Sequence, residues 1–332
     1  MAKAILPAKL LLRNVYRLLK QRDSWQDVLT IDEATVGDLE WWIKALDTWN
    51  GKAFRSESKS CIQITTDASE IAWGGTMIGC PHIMAQGYWD DHMSNQHPHL
   101  REIMAVLMTL ESFLPYIKGK AVQVLTDNIT TAAYINFQGG ASKLLDGVAR
   151  NIWLLSITNA IQIQARYLPG VMNQEADRLS RLSNLYEWKL HPQLFKYLDQ
   201  LYGPHTIDRF ASMSTRQCKR YNSLHLDPWT EGVDALHQNN WASENNFVNP
   251  PFRLLSKILN HIRATESNAT IIAPMWPAQP WYPELVNMAV HPPLKLPKTK
   301  HICLPIQSIT PEPMKNARWR MYAWRVSGKN IY

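Results

Sequence analysis

The feature that most constrains this chain is a change of period near Lys59. Upstream, Leu10, Leu11, Val15, Leu18 and Leu19 recur at helical spacing. Leu39, Trp41, Trp42, Ile43 and Leu46 predict a second helix from Asp32, which Asn50-Gly51 breaks. From Lys59 apolar and polar residues alternate, and the pattern predicts strands over 61–66, 72–78 and 85–89 joined by Gly-containing turns. A helix is expected over 100–117, a strand over 122–126, and helices over 130–136 and 143–159. A strand over 161–168 and a short helix over 174–182 close the series, giving β-β-β-α-β-α-α-β-α. Three strands in succession followed by alternation with helices predict an α/β domain on a mixed sheet.

A further region begins near Tyr186. A helix over 191–201, strands over 206–210, 246–248 and 270–273, a helix over 254–263 and a final strand over 319–326 predict a second α/β domain. A chain of 332 residues accommodates two domains. The expected division is a helical tail over 1–57, a first α/β domain over 58–185 and a second over 186–332.

Four acids fall at matching places in the first domain. Asp67 and Asp127 each end a strand, and Glu102 and Asp177 each open a helix. Singly, an Asp after a strand is most often a turn former, and an acid opening a helix most often serves the cap or the dipole. All four at element ends suggest a shared site instead. If the strands ending at Asp67 and Asp127 are adjacent, their carboxylates meet at one sheet edge, and helix starts packed there add Glu102 and Asp177. Such oxygen donors suit Mg²⁺, and two such ions can activate water and stabilise a leaving oxygen in phosphodiester hydrolysis.

The order Asp67-Ala-Ser with Trp73-Gly-Gly, Arg101-Glu102, Thr126-Asp127-Asn128 and Pro169-Gly-x-x-Asn173-x-x-Ala176-Asp177-x-Leu-Ser-Arg181 resembles the ribonuclease H domain of retroelement polymerases. It is most similar to DIRS-type retrotransposons, and the likeness covers residues 58–183. The resemblance implies a five-stranded mixed sheet and cleavage of the RNA strand of an RNA–DNA hybrid. It also implies two Mg²⁺ (or Mn²⁺) ions on Asp67, Glu102, Asp127 and Asp177, with Asp67 as the central ligand. Tyr167 stands where related elements often place a His before the x-Pro-Gly turn. Residues 1–55 resemble the segment joining polymerase to ribonuclease H. No polymerase palm with paired aspartates is visible, so a separately encoded polymerase is an expected partner.

Asn249-Pro250-Pro251-Phe252 follows an apolar strand and precedes a helix. With His191-Pro-x-Leu-Phe195, Ile207-Asp-Arg-Phe-Ala-Ser212, Trp241 and Ala273-Pro274, it resembles phage-type adenine-N6 DNA methyltransferases, with a Rossmann-like fold. In that motif the Asn side chain and a backbone carbonyl accept hydrogen bonds from the target amine, while the aromatic ring stacks on the flipped base. The resemblance implies S-adenosylmethionine near Asp208, Phe210 and Asn249, and DNA as the substrate. The turn after the first strand reads Phe210-Ala-Ser-Met-Ser, without the glycine that close backbone approach to a cofactor usually uses. The alternatives to a hybrid ribonuclease are a non-catalytic nucleic-acid-binding remnant of a retroelement, and methylation as the surviving activity.

Net charge of +7 is compatible with a polyanionic partner. Four scattered cysteines form no CxxC pair and predict an intracellular, reducing setting, nuclear or cytoplasmic. No apolar run approaches the ~20 residues that span a bilayer. The acid-free, basic first 22 residues predict an amphipathic helix; a mitochondrial presequence is the alternative.

Overall fold

The computed structural model describes residues 8–49, 61–181, 188–305 and 319–329. The Asn50-Gly51 break and the expected boundaries near residues 57 and 185 lie outside these. By Cα packing the described residues form two compact units: one within 1–67, 75–81 and 97–176, the other within 68–74, 82–96 and 177–332. Among the described residues no helix is long and apolar enough to cross a membrane.

Elements of the first half follow in chain order. Helices α1 (Ala8–Leu11), α2 (Arg13–Leu19) and α3 (Glu33–Trp49) precede strands β1 (Ile62–Ala68), β2 (Ala72–Met77) and β3 (Met84–Tyr88). Then come α4 (Asp91–Ser94), α5 (Pro98–Ser112), α6 (Leu114–Ile117), β4 (Ala121–Thr126), α7 (Ile129–Asn136), α8 (Lys143–Thr158), β5 (Gln162–Tyr167) and α9 (Gln174–Arg181). The expected order survives, with two corrections. Helix α4 was not foreseen; Asp90 starts it by accepting the Met93 N–H at 2.8 Å. The single helix expected over 100–117 is α5 and α6, interrupted at Phe113, because Pro115 has no N–H to continue the ladder.

The sheet order is β3-β2-β1-β4-β5. Strands β1 and β4 run parallel, as do β4 and β5, whereas β1 and β2 are joined by three residues and can only be antiparallel. The sheet is therefore mixed, as expected. Gly75 is required on β2, since a Cβ there would come within 2.3 Å of the Thr109 hydroxyl on α5.

The basic N-terminal helices are fastened to α8 and the loop before it. Arg13 and Arg17 pair with Asp146 at 3.2 and 2.9 Å, and Arg13 also donates to the carbonyls of Phe137, Gln138 and Gly140. Fully buried Asp38 on α3 receives Asn14 at 2.8 Å and pairs with Arg150. Asp32 caps α3 by accepting the Thr35 N–H at 2.8 Å, and its hydrogen bonds to Thr35 hold its carboxyl below the usual range. The expected apolar residues Leu39 and Ile43 are exposed, as is Val36.

The second half is built on another five-stranded sheet. Its elements are β6 (Trp188–Leu190), α10 (Pro192–Tyr202), β7 (Ile207–Asp208), β8 (Asn222–Ser223), β9 (Gly232–Val233), β10 (Asn245–Val248), α11 (Leu255–Ala264) and β11 (Asn268–Pro274). They are followed by α12 (Tyr282–Met288), β12 (Leu294–Lys295), α13 (Thr299–Ile302), β13 (Cys303–Pro305) and β14 (Met321–Ser327). The order is β12-β14-β11-β10-β7. Strands β7, β10 and β11 are mutually parallel, and β14 returns antiparallel to β11. Helix α11 makes the crossover between β10 and β11, burying Leu255, Ile258, Leu259 and Ile262 against Val248, Ile271 and Trp324. Two two-stranded ribbons, β6 with β13 and β8 with β9, were not foreseen; short paired strands leave little periodicity to read.

Candidate active site

The register of β1 on β4 sets the site. Thr65 lies level with Leu125, so two residues further Asp67 lies level with Asp127. Residues two apart on a strand share a face, and both acids leave the ends of adjacent parallel strands together. Asp67 is the next-to-last residue of β1, because the strand runs on to Ala68, past the end expected from the sequence. Helix α5 begins with His97 as cap and Pro98 in its first turn, so Glu102 is its fifth residue and does not open it as expected, and the helix brings Glu102 to the same place. One carboxylate oxygen from each of Asp67, Glu102 and Asp127 lies within 4.8 Å of the others, with Asp67 and Glu102 buried and Asp127 half-buried. Three acids so close repel one another when ionised, and a divalent cation relieves that repulsion.

The surrounding motif residues hold this arrangement. The Pro169-Gly170 turn passes close to Asp127: a Cβ on Gly170 would stand 3.1 Å from Asp127 Oδ2. Asn173, 2% exposed, donates to the Thr66 carbonyl at 2.9 Å, tying the turn to the residue before Asp67. The Ser69 hydroxyl closes the β1–β2 turn by accepting the N–H groups of Ile71 and Ala72 at 3.1 Å each.

Asn128 links the site to a histidine. Its Oδ1 accepts the Thr131 N–H at 2.9 Å and caps α7, which fixes the amide so that Nδ2 donates to His99 Nδ1 at 2.9 Å. A neutral His99 then carries its proton on Nε2. His99 lies one turn before Glu102 on α5. It was not singled out from the sequence, although it stands two residues before Arg101-Glu102.

Asp177 is placed differently. It is the fourth residue of α9, not its opening residue, and its Oδ1 accepts Arg181 Nε at 2.6 Å. Its side chain is 41% exposed, and it is not one of the three acids that converge.

The second set of expected residues gathers at the carboxyl ends of β7 and β10. Phe247 lies level with Asp208, so Asn249 leaves β10 just beyond Asp208. Asp208 is 2% exposed; its Oδ2 accepts the Gln217 N–H at 3.0 Å, and its Oδ1 is buried with no hydrogen-bond partner. Burial pushes its carboxyl up to about 7. Asn249 Oδ1 is likewise buried without a partner. Pro250 is buried, Pro251 exposed, and Phe252 half-buried at the start of a single 3₁₀ turn. Phe210 packs on the core beneath α11.

Where a glycine turn was missing from the sequence, hydroxyls close the loop. Thr215 Oγ1 accepts the Ser212 N–H at 2.7 Å, and Ser212 Oγ lies 3.0 Å from the hydroxyls of Ser214 and Thr215. Trp241, one of the residues carrying the resemblance, is fully buried, with Nε1 donating to Ala235 O at 2.7 Å and the Arg209 guanidinium over its ring at 4.6 Å. Its place is structural.

No protein-family model matches the chain, and no curated protein matches it. Among solved structures, LC11-RNase H1 in complex with RNA/DNA hybrid is 17% identical with a TM-score of 0.31, over 36% of this chain and 92% of that one. RNase H1 from the halophilic archaeon Halobacterium salinarum is 14% identical with a TM-score of 0.31, over 36% of this chain and 94% of that one. The foamy viral protease-reverse transcriptase in complex with RNA/DNA hybrid is 13% identical with a TM-score of 0.26, over 50% of this chain and 23% of that one.

Proposed function

We propose that this chain is a metal-dependent endoribonuclease that cuts the RNA strand of RNA–DNA hybrids. The observation that carries the reading is the convergence of Asp67, Glu102 and Asp127 on one spot at the ends of two parallel strands. The donor set fits Mg²⁺, which takes hard carboxylate oxygens and keeps part of its water. Divalent ions bound there supply an activated water and stabilise the leaving oxygen of the cleaved phosphodiester. The chain's own part is to hold three charges in register: Asp67 and Asp127 from strand ends, Glu102 from a helix whose first turn is fixed by Pro98. Asn173 and Gly170 keep the turn beside Asp127 narrow, so that this carboxylate has few places to go. Asp177 is the proposed fourth ligand, and taking that role means exchanging Arg181 for the cation. Incubation with Mg²⁺ and a hybrid labelled on the RNA strand tests the reading. Cutting that survives Asp127→Asn would sink it.

A second activity has its own observation. Asp208 Oδ1 and Asn249 Oδ1 are buried acceptors without donors, at the carboxyl ends of parallel strands where α/β sheets bind ligands. We propose that they belong to a DNA adenine-N6 methyltransferase-type site, with Asn249 accepting from the target amine and S-adenosylmethionine beside Asp208 and Phe210. Transfer of labelled methyl groups to DNA is the test. A protein that neither transfers methyl groups nor binds the methyl donor is not a methyltransferase.

A further inference from the structure

Beyond Asn249-Pro-Pro-Phe252, three rings distant in sequence meet. Phe252 and Trp276 lie edge to face at 5.5 Å between centroids, Trp276 and Trp319 edge to face at 5.0 Å, and Phe252 and Trp319 tilted at 5.9 Å. The backbone fixes the third ring, since Met275 N donates to the carbonyl of Arg320 at 3.4 Å. All three rings are half-buried, so each keeps part of its surface in solvent. That differs from Trp241 and Trp324, which the core covers almost completely.

Two cations adjoin the cluster's residues in sequence. Arg253 follows Phe252 and Arg320 follows Trp319, and both are exposed. Aromatic faces interleaved with cations are what a single strand of nucleic acid requires: bases stack on the rings while guanidinium groups meet the phosphates. A duplex offers no free base faces to such a cluster.

We propose that Phe252, Trp276 and Trp319 form a stacking platform for the bases of single-stranded nucleic acid, with Arg253 and Arg320 on its backbone. The proposal shares Phe252 with the methyl-transfer reading but needs no methyl donor and no chemistry at Asn249.

The test is fluorescence anisotropy of labelled oligo(dT) with the full chain in EDTA, which silences any binding that depends on the carboxylate site's metal. Trp276→Leu and Trp319→Leu are each expected to weaken binding about 5- to 100-fold. Trp276→Phe, which keeps a ring, should stay within about threefold of wild type. The wild-type protein supplies a readout free of folding effects: an abasic strand of the same length should bind at least about tenfold more weakly than oligo(dT). Equal affinity for the abasic strand, or both leucine variants binding as wild type does, would overturn the proposal. Tight ring-dependent binding without methyl transfer would count against the methyl-transfer reading alone.

Discussion

Gly170 and Asp127 stand so close that a Cβ on the glycine would lie 3.1 Å from the carboxylate oxygen Oδ2. Gly170→Ala should therefore displace Asp127 by a few tenths of an ångström. Metal-dependent catalysis is sensitive to such shifts, and hybrid cleavage should fall on the order of tenfold. Because the strain is local, the melting temperature should move little. Steady-state cleavage beside a thermal melt checks both, and an alanine variant as active as wild type would show that the turn does not constrain Asp127.

Asp67, Glu102 and Asp127 also make a stability prediction. Two unit charges 4.8 Å apart, the upper limit of separation among these carboxylate oxygens, repel by about 3.5 kcal/mol at an effective dielectric near 20. In EDTA, Asp67→Asn should raise the melting temperature while abolishing cleavage, a trade of stability for function. Mg²⁺ should raise the melting temperature of the wild type by binding the folded form. It should do so much less for Asp67→Asn. Calorimetric scans with and without Mg²⁺ measure this directly.

Much of this site was legible because strands announce their ends. The alternation into Asp67 and the apolar run into Asp127 located both acids, and the parallel register of β1 on β4 then made them neighbours. Asp177 was harder. Its helix starts at Gln174 as expected, so Asp177 sits at the fourth position rather than at the opening, and a partner one turn on, Arg181, occupies its carboxylate. The roles of Asn173 and Asn128 are hydrogen bonds to a carbonyl and to an imidazole far away in sequence, which no periodicity records. The ring cluster of Phe252, Trp276 and Trp319 was invisible for the same reason.

His205 shows how burial converts to pH dependence. Its side chain is fully buried, with Nδ1 2.7 Å from Asp199 Oδ1 and Nε2 2.8 Å from Thr270 Oγ1. Desolvation holds its pKa below the usual 6.5 despite the Asp199 carboxylate. Below pH 6.5 the unfolded chain takes up a proton that the folded chain refuses, so stability falls as pH drops from 6.5 towards the folded value. His205→Gln should flatten that slope. Urea unfolding from pH 7.5 down to 5, followed by a signal from the second unit, reads it out.

Asp208 titrates with the opposite consequence. Its folded pKa of about 7 lies above the ordinary 3.8 because the carboxyl is buried, and the backbone N–H groups of Gln217 and Phe210 counter that desolvation only in part. Between pH 3.8 and 7 the unfolded chain releases this proton and the folded chain keeps it. The folded state is therefore favoured least above pH 7, by an amount of order 2–4 kcal/mol for a shift of this size. Asp208→Asn keeps an acceptor for the Gln217 N–H and carries no charge, so its stabilising effect should be larger at pH 8 than at pH 5. Chemical denaturation of wild type and variant at the two pH values measures the difference. If a cationic methyl donor binds beside Asp208, it favours the ionised carboxylate, and S-adenosylmethionine should then stabilise the wild type more than the variant at pH 8. Equal ligand-induced shifts in the two proteins would place the donor's charge elsewhere.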